Sequence, residues 1–300
     1  MSALDDTRTG RRQAAPPGTP ARGFRGWTAR HPIGAFLAIA LPLGWAVLGI
    51  PALADHGVIP GGELPGEVFA LAATVLVLLP TAVWVVSVTE GRAGVRALFA
   101  RTFRWRFGPG WWIAALAALP VATVVVGLLL GRSLASDPVA VLVEAVPLML
   151  LPVVLVNLWE ETVWAGFVQT RLERRHGLLA GSALTAVAFA AIHLPLLLWG
   201  EVTVESVATG LGIVFGAALV FRLLVGVFLR GAAGSVLAVA VLHGAWNGSS
   251  GEGGLVDELL SGGQPVLAAA LGLVVVTAVA VAVVRPDLTR RTAAGAPVRR

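Results

Sequence analysis

The stretch "VAVLVEAVPLMLLPVVLVNLWEETVWAGFVQT", residues 139–170, decides the fold. It is long enough to cross a bilayer, since a spanning helix needs about 20 apolar residues. Yet two adjacent carboxylates, Glu160 and Glu161, lie inside the apolar run. Ionisable side chains are costly within a membrane span, and they usually face a bundle interior or a water-filled cavity. The stretch therefore predicts a membrane helix with one functional face.

The composition of the whole chain is that of a membrane protein. The 300 residues are 57% hydrophobic and only 13% charged, which is too apolar for an ordinary soluble domain. The absence of cysteine from the sequence excludes disulfides, thiolate metal sites and a cysteine nucleophile. All basic residues are Arg, and the excess of Ala, Gly and Val is typical of a GC-rich bacterial genome. We expect a multi-pass protein of a bacterial plasma membrane, with the lipid bilayer as a partner and no nucleic acid.

Apolar runs predict an all-α, polytopic bundle of about eight transmembrane helices. The predicted spans are 32–53, 66–88, 111–130, 139–170, 178–195, 206–229, 233–249 and 264–284. The connections alternate in charge: those on one side, together with both tails, are rich in Arg, and those on the other side carry mainly Asp and Glu. Because basic connections favour the cytoplasm, both termini are predicted to be cytoplasmic, which requires an even number of spans.

The predicted domain organisation is a bundle between two tails. Residues 1–30 are rich in Pro, Gly and Arg and cannot bury enough apolar surface to fold, so they are predicted to form a disordered cytoplasmic tail. Residues 31–285 form the transmembrane bundle, whose motif-bearing core is 139–250. Residues 286–300 form a second cytoplasmic tail.

The polar groups within the spans are predicted to meet at one depth. With a rise of 1.5 Å per residue, Glu160 lies about 16 Å from Arg171 at the cytoplasmic end of its span. On the same scale His193 lies about 22 Å into the next span, and His243 lies about 16 Å into the seventh. Asn247 follows His243 by four residues and so shares its helix face. Three helices thus bring a carboxylate, two imidazoles and an amide to similar levels.

These residue types suit hydrolysis by two different mechanisms. A carboxylate with an imidazole can deprotonate a water, while a second imidazole and an amide can donate hydrogen bonds to an oxyanion. Alternatively, Glu160, His193 and His243 could bind a divalent metal such as zinc and leave one position open for water. The sequence has no H-E-x-x-H pair, so the familiar zinc-protease motif is absent. The residue types alone leave both mechanisms open.

Three motifs resemble those of a known family. They are "EETVWAG" (160–166), "FAAIH" (189–193) and "HGAWN" (243–247). They are similar to the E-E-x-x-x-R, F-x-x-x-H and H-x-x-x-N/D motifs of the CPBP intramembrane proteases, which include CAAX prenyl endopeptidases and bacteriocin-processing or bacteriocin-immunity proteins. Their order and spacing match over roughly residues 139–250. The resemblance implies a helical bundle whose conical cavity opens toward the cytoplasm and neighbouring lipid.

The resemblance also implies a role for each site residue. Glu160 and His193 would activate water. His243 and Asn247 would stabilise the oxyanion, and Glu161 would support the other groups. The expected function is cleavage of a membrane-associated peptide or protein near the cytoplasmic face, by a metal-dependent or a glutamate-type mechanism. The sequence does not name the substrate.

One position departs from the family pattern. Where the motif has Arg, five residues after its first Glu, this chain has Ala165. Without that arginine, Glu160 and Glu161 are expected to share a proton or to pair with Arg222 instead. The two glutamates are also about 100° apart on a helix, so only one is expected to face a common cavity.

Two functions of other classes remain open at this point. Ala165 favours a non-catalytic membrane protein that binds or sequesters a peptide or partner, as an immunity protein would. A proton-coupled transporter would use Glu160 or Glu161 as its proton carrier. The absence of detectable inverted repeats in the sequence argues against the transporter.

Overall fold

A computed structural model describes residues 23–251 and 253–289, and these ranges are almost entirely helical. In chain order the helices are α1 (Gly23–Arg30), α2 (Pro32–Leu48), α3 (Ile50–Asp55), α4 (Gly66–Ala72), α5 (Leu79–Thr102), α6 (Pro109–Leu129), α7 (Pro138–Pro152), α8 (Leu158–Val163), α9 (Thr170–His176), α10 (Leu178–Ile192), α11 (Val204–Gly231), α12 (Val236–Ser250), α13 (Leu255–Leu259) and α14 (Pro265–Val284). Two short strands, β1 (Ser133–Leu134) and β2 (Leu260–Ser261), pair antiparallel and join two connections at one end of the bundle. The prediction of an all-α membrane bundle is confirmed.

Seven helical stretches of the described chain are long and apolar enough to cross a membrane. They are Pro32–Asp55, Gly66–Thr102, Pro109–Leu129, Pro138–His176, Leu178–Leu198, Val204–Gly231 and Pro265–Val284. The remaining predicted span, 233–249, corresponds to α12, whose 15 residues are fewer than the roughly 20 that a bilayer requires. Most of α12 is buried, so other helices rather than lipid surround it. Seven stretches therefore meet the length requirement, and α12 is a shorter, buried helix that runs across the bundle from Ser235, which donates to the carbonyl of Arg104, toward β2, which pairs with β1 at the other end. The cytoplasmic placement of the termini stays a prediction.

The predicted N-terminal tail ends in a helix. Residues 1–22 lie outside the described residues, whereas Gly23–Arg30 form α1. Phe24 stacks on both Trp27 and Trp84, and these aromatic contacts attach α1 to α5. Most of the C-terminal tail, from residue 290 onward, also lies outside the described residues.

The predicted connection 89–110 is mostly helical. Helix α5 continues to Thr102 and is interrupted only at Gly91, whose φ of 65° is non-helical. Glycine adopts a positive φ without the steric cost that a side chain imposes. The Arg-rich segment after Gly91 therefore forms a separate helical arm rather than a loop.

The helix that carries Glu160 and Glu161 is irregular on both sides of them. Two π-helical segments, Val153–Asn157 and Trp164–Gln169, flank α8. The first begins directly after Pro152, whose missing N–H leaves the carbonyl of Leu148, in the preceding turn, without its α-helical partner. Segments of this kind occur frequently at functional sites. A third π-helical segment, Ala73–Leu78, joins α4 to α5 and contacts α8 across the bundle.

Two apolar clusters hold α8 between them. One includes Leu158 and Ala165 and consists mainly of buried side chains from α6, α11, α12 and α14. The other includes Val163 and Trp164 and consists mainly of side chains from α2, α5 and α10. Because apolar partners pack on both sides, the rotation of α8 about its axis is fixed, and with it the directions of the two glutamates.

Candidate active site

Glu161 is the sealed member of the glutamate pair. Its side chain has no exposed surface, and Arg222 of α11 donates two hydrogen bonds to its carboxylate, from Nη1 to Oε2 at 2.7 Å and from Nη2 to Oε1 at 2.8 Å. Paired hydrogen bonds between a guanidinium and a carboxylate are among the strongest in proteins. Nδ1 of His243 lies 2.8 Å from the same Oε1. Glu161 therefore ties α8 to both α11 and α12.

Arg222 is the positively charged partner of the glutamate pair, in place of the arginine that the motif would have at Ala165. Of the two expected outcomes, a shared proton or a pair with Arg222, the structure has the second, and the partner is Glu161. The guanidinium carbon of Arg222 also lies 3.8 Å from the centre of the Phe189 ring, a cation–π contact. A buried carboxylate without such a partner would be costly. Arg222 thus supplies, from another helix, the positive charge that the motif lacks at position 165.

Glu160 faces a cavity instead. Its Oε1 lies 3.7 Å from Nε2 of His193, and its Oε2 lies 3.9 Å from Nδ1 of His243. Both distances exceed that of a hydrogen bond. However, Glu160 and His193 are close enough for one water to reach both of them. One glutamate sealed and the other open is the arrangement that their separation of about 100° predicts.

Hydrogen bonds assign the proton of each imidazole. Nδ1 of His193 lies 2.6 Å from the carbonyl oxygen of Phe189; because a carbonyl only accepts, Nδ1 is the donor. Neutral His193 then presents an unprotonated Nε2 toward Glu160. Nδ1 of His243 likewise donates to the carboxylate of Glu161. Its Nε2 is a second donor only when the ring carries both protons.

Two amides complete the site. Asn247 lies one helical turn after His243 and lines the same cavity, with its side chain exposed. Asn157 lies one turn before Glu161 and is only 2% exposed, and its Oδ1 finds no hydrogen-bond partner among the described residues. Asn157 is not among the predicted site residues. The available signal was an amide inside an apolar run, three residues before Glu160.

The predicted site residues meet at a cavity of about 760 Å³. Its walls come mainly from α4, the segment Ala73–Leu78, α7 and α12, and they are largely apolar. A second cavity of about 570 Å³, between α10, α11 and α14, shares His193, His243 and Asn247 with the first. The structure therefore brings all five predicted residues together, with Glu161 behind the cavity wall rather than on it.

The larger cavity opens at the acidic end of the bundle. Its rim includes the exposed side chains of Glu67, Glu144 and Glu258. Glu144 precedes Glu160 on the same helical stretch by about 24 Å at 1.5 Å per residue. The Arg-rich connections, including 171–177, lie at the opposite end. The positive-inside rule therefore places this opening at the non-cytoplasmic face. The family resemblance instead implies an opening toward the cytoplasm.

The predicted metal ligands are Glu160, His193 and His243, and in the described ranges no three His, Asp or Glu side chains are grouped closely enough to hold a metal ion. The Nδ1 atoms of His193 and His243 are hydrogen-bonded to Phe189 and Glu161, which leaves Nε2 as the free nitrogen of each ring. Metal binding by these residues stays a prediction.

The part of the chain that carries the site residues is similar to a known protein family. No curated protein matches the chain. A family model described as "Type II CAAX prenyl endopeptidase Rce1-like" matches residues 142–249. This range contains all three motifs, from Glu160 to Asn247. The resemblance drawn from the motifs is thereby confirmed over residues 142–249, which are similar to the Rce1-like, type II CAAX prenyl endopeptidases.

Proposed function

We propose that this protein is an intramembrane endopeptidase of the glutamate type, with Glu160 and His193 as the residues that activate water. One observation carries the proposal. Oε1 of Glu160 and the unprotonated Nε2 of His193 lie 3.7 Å apart on the wall of a cavity inside a membrane bundle. A carboxylate and a neutral imidazole at this spacing are suited to hold one water and to take its proton.

The chemistry follows from the two acceptors. A water between Glu160 and His193 donates a hydrogen bond to each, which directs a lone pair of its oxygen toward the substrate carbonyl carbon. As the new C–O bond forms, Glu160 takes one proton and the carbonyl oxygen becomes an oxyanion. When the C–N bond breaks, that proton passes to the leaving amine. One water and one peptide bond thus yield one carboxyl group and one amine.

The oxyanion needs donors on the other side of the site. His243, as an imidazolium, offers its Nε2–H, and Asn247 offers its side-chain amide. Both residues line the cavity, and they are one turn apart on α12. The pair of Glu161 and Arg222 is a positioning unit, because it touches His243 rather than the reacting atoms.

Comparison of matched variants tests this function. Purified protein would be incubated in detergent with membrane-anchored peptides, and the products would be identified by mass spectrometry. Wild type is expected to cleave at least one peptide, and Glu160→Gln is expected to be inactive. Glu205→Gln is the control, since Glu205 is exposed and lines neither cavity. Equal cleavage by wild type and Glu160→Gln would refute the proposal.

The pair of Arg222 and Glu161 supports the protease over the non-catalytic alternative. That alternative was motivated by the missing motif arginine at Ala165, and Glu161 has an arginine partner from another helix. The substrate class that remains is a membrane-associated peptide or protein, reached from lipid and from the cavity mouth. A bacterial plasma membrane is the location that the composition favours.

The face on which cleavage occurs follows from the cavity mouth. The mouth lies at the end with acidic connections, which the positive-inside rule places away from the cytoplasm. We therefore place cleavage at the non-cytoplasmic face, opposite to the face that the resemblance implies.

Cysteine labelling tests this orientation directly, because the chain has no cysteine of its own. Single variants Glu205→Cys and Arg174→Cys would carry one thiol at each end. A membrane-impermeant maleimide is expected to label Glu205→Cys in intact cells and Arg174→Cys only after permeabilisation. The reverse pattern would place the mouth in the cytoplasm.

A further inference from the structure

The Arg-rich arm, residues 92–107, begins where the second span reaches the boundary of the membrane. Residues 66–90 rise about 37 Å at 1.5 Å per residue, which exceeds the hydrocarbon thickness of about 30 Å. Gly91 then turns the chain with its positive φ of 65°. Glu90 pairs with Arg171, and this pair holds the turn at the end of the bundle that has the Arg-rich connections. The arm therefore starts at the level of the lipid headgroups.

One face of the arm is fastened to the bundle. Nη2 of Arg101 donates a hydrogen bond to the carbonyl oxygen of Gly166, in the π-helical segment after α8, at 2.6 Å. Further along the arm, the hydroxyl group of Ser235 donates to the carbonyl oxygen of Arg104 at 2.6 Å. Two separate parts of the bundle thus hold the arm, so its outer side chains project from a fixed backbone.

The outer face of the arm carries positive charge. Its exposed cations are Arg92, Arg96, Arg104 and Arg106. No ion pair within the described ranges involves any of the four. The only carboxylate in the sequence 89–110 is that of Glu90, which pairs with Arg171. The four guanidinium groups are therefore available to an anion from outside the protein.

Exposed aromatic rings lie among these arginines. Phe103 is 53% exposed and Trp105 is 59% exposed. The guanidinium carbon of Arg106 lies 4.9 Å from the centre of the Trp105 ring. Tryptophan is enriched at the interface between membrane and water, where its ring lies at the level of the headgroups. A free anion has no use for exposed rings, whereas a lipid offers both a charged headgroup and an apolar boundary.

We propose that the outer face of the Arg-rich arm binds anionic phospholipids of the cytoplasmic leaflet. The lipid phosphates lie beside the four exposed arginines, and Phe103 and Trp105 contact the glycerol and upper acyl region. Guanidinium groups form paired hydrogen bonds with phosphate, and clusters of four or more Arg next to a span suit anionic lipids. The positive-inside rule places this end in the cytoplasm, where the membrane surface is negative. The proposal does not depend on the proposed protease function.

Lipid titration tests the proposal. The purified full chain in detergent would be titrated with phosphatidylglycerol or phosphatidylcholine, and native mass spectrometry would give the Kd of each lipid that binds. Wild type is expected to bind phosphatidylglycerol with a Kd at least about tenfold lower, because each Arg beside an anionic surface contributes about fivefold. The preference should shrink as salt is added, since exposed charges are screened.

Neutralising the outer face is the matched test. The test variant is Arg92→Gln, Arg96→Gln, Arg104→Gln, Arg106→Gln. It is expected to bind both lipids with similar Kd, and its melting temperature should stay close to that of wild type because the four side chains are exposed. The control variant removes the same number of exposed arginines at the same end and should keep the preference; it is Arg25→Gln, Arg30→Gln, Arg174→Gln, Arg175→Gln.

Two double variants cover the case in which the fourfold change prevents folding. They are Arg92→Gln with Arg96→Gln, and Arg104→Gln with Arg106→Gln. Each is expected to lose part of the preference. A preference that both double variants keep in full, or that the control loses equally, would overturn the proposal.

Inorganic phosphate separates a lipid from a free anion. Inorganic phosphate added at constant ionic strength is expected to leave phosphatidylglycerol bound, because it cannot replace the contacts with Phe103 and Trp105. Displacement of the lipid by inorganic phosphate would mean that the arm binds a free phosphate, and the lipid proposal would fail. Since lipid binding is the readout, the result is independent of whether the protein cleaves peptides.

Discussion

The two faces of α8 differ more than their sequence positions suggest. On one face Glu161 is sealed, with two hydrogen bonds from Arg222 and one from His243. On the other face Glu160 borders a cavity, and its nearest ionisable neighbour is 3.7 Å away. The carboxylate of Glu161 is paired with side chains of the protein. The carboxylate of Glu160 has no partner at hydrogen-bond distance and is available to a water or a substrate. The same residue type therefore serves stability on one face and chemistry on the other.

The largest expected effect is on the open face. Glu160→Gln keeps the shape of the side chain but cannot accept the proton of the attacking water, so the cleavage rate should fall about 10²- to 10⁴-fold. Thermal unfolding in detergent should change little, since no hydrogen bond to Glu160 is lost. The cleavage assay and the melting curve together check this prediction. A large loss of stability would mean that the open face also holds the fold.

Substitution of Glu161, on the sealed face, should lower the stability of the protein. Glu161→Gln leaves the guanidinium of Arg222 buried without its counter-ion, which typically costs about 3–5 kcal/mol. The melting temperature should therefore fall well below that of Glu160→Gln. The double variant Glu161→Gln, Arg222→Met removes both charges and should recover much of the lost stability. If the double variant melts as low as Glu161→Gln, an orphan charge is not the cause.

Asn247, on α12, lines the cavity that Glu160 borders. Asn247→Ala removes one proposed donor to the oxyanion, and loss of such a donor typically costs about 10²- to 10³-fold in kcat. KM should change less than kcat, because the interaction strengthens in the transition state. Steady-state kinetics on the peptide that wild type cleaves best would measure both constants. An effect confined to KM would make Asn247 a substrate-binding residue instead.

Much of this contrast could be read from sequence, and part of it could not. The apolar runs predicted the helical class, and the helical period predicted that Glu160 and Glu161 point in different directions. Periodicity cannot say which of the two is sealed, because that depends on the side chains that other helices bring. The partner of Glu161 lies 61 residues away on α11, so Arg222 could be named only as one of two outcomes.

Two features of the fold could not be read from the sequence, for one physical reason. Helix α12 is as apolar as the other predicted spans, yet it is buried among helices rather than in lipid. Hydropathy cannot distinguish these two apolar surroundings. The acidic rim was equally invisible, because Glu67, Glu144 and Glu258 are distant in sequence and meet only through the fold.

The last comparison is at Ala165, where the sealed face departs from the family pattern. Ala165 is fully buried in the wild-type core, so Ala165→Arg alone should destabilise the protein, because it overpacks the core and buries a second guanidinium beside a glutamate that Arg222 already pairs. In an Arg222→Ala background the same substitution should have the opposite sign. Truncation of Arg222 opens space and leaves Glu161 unpaired, and position 165 lies one turn after Glu161, within reach of an arginine. A melting temperature that rises when Ala165→Arg is added to Arg222→Ala, and falls when it is added to wild type, would show that the sealed face requires one guanidinium from either helix. A fall in both backgrounds would mean that only α11 can supply it, because the core around position 165 has closed over the space that an arginine would need.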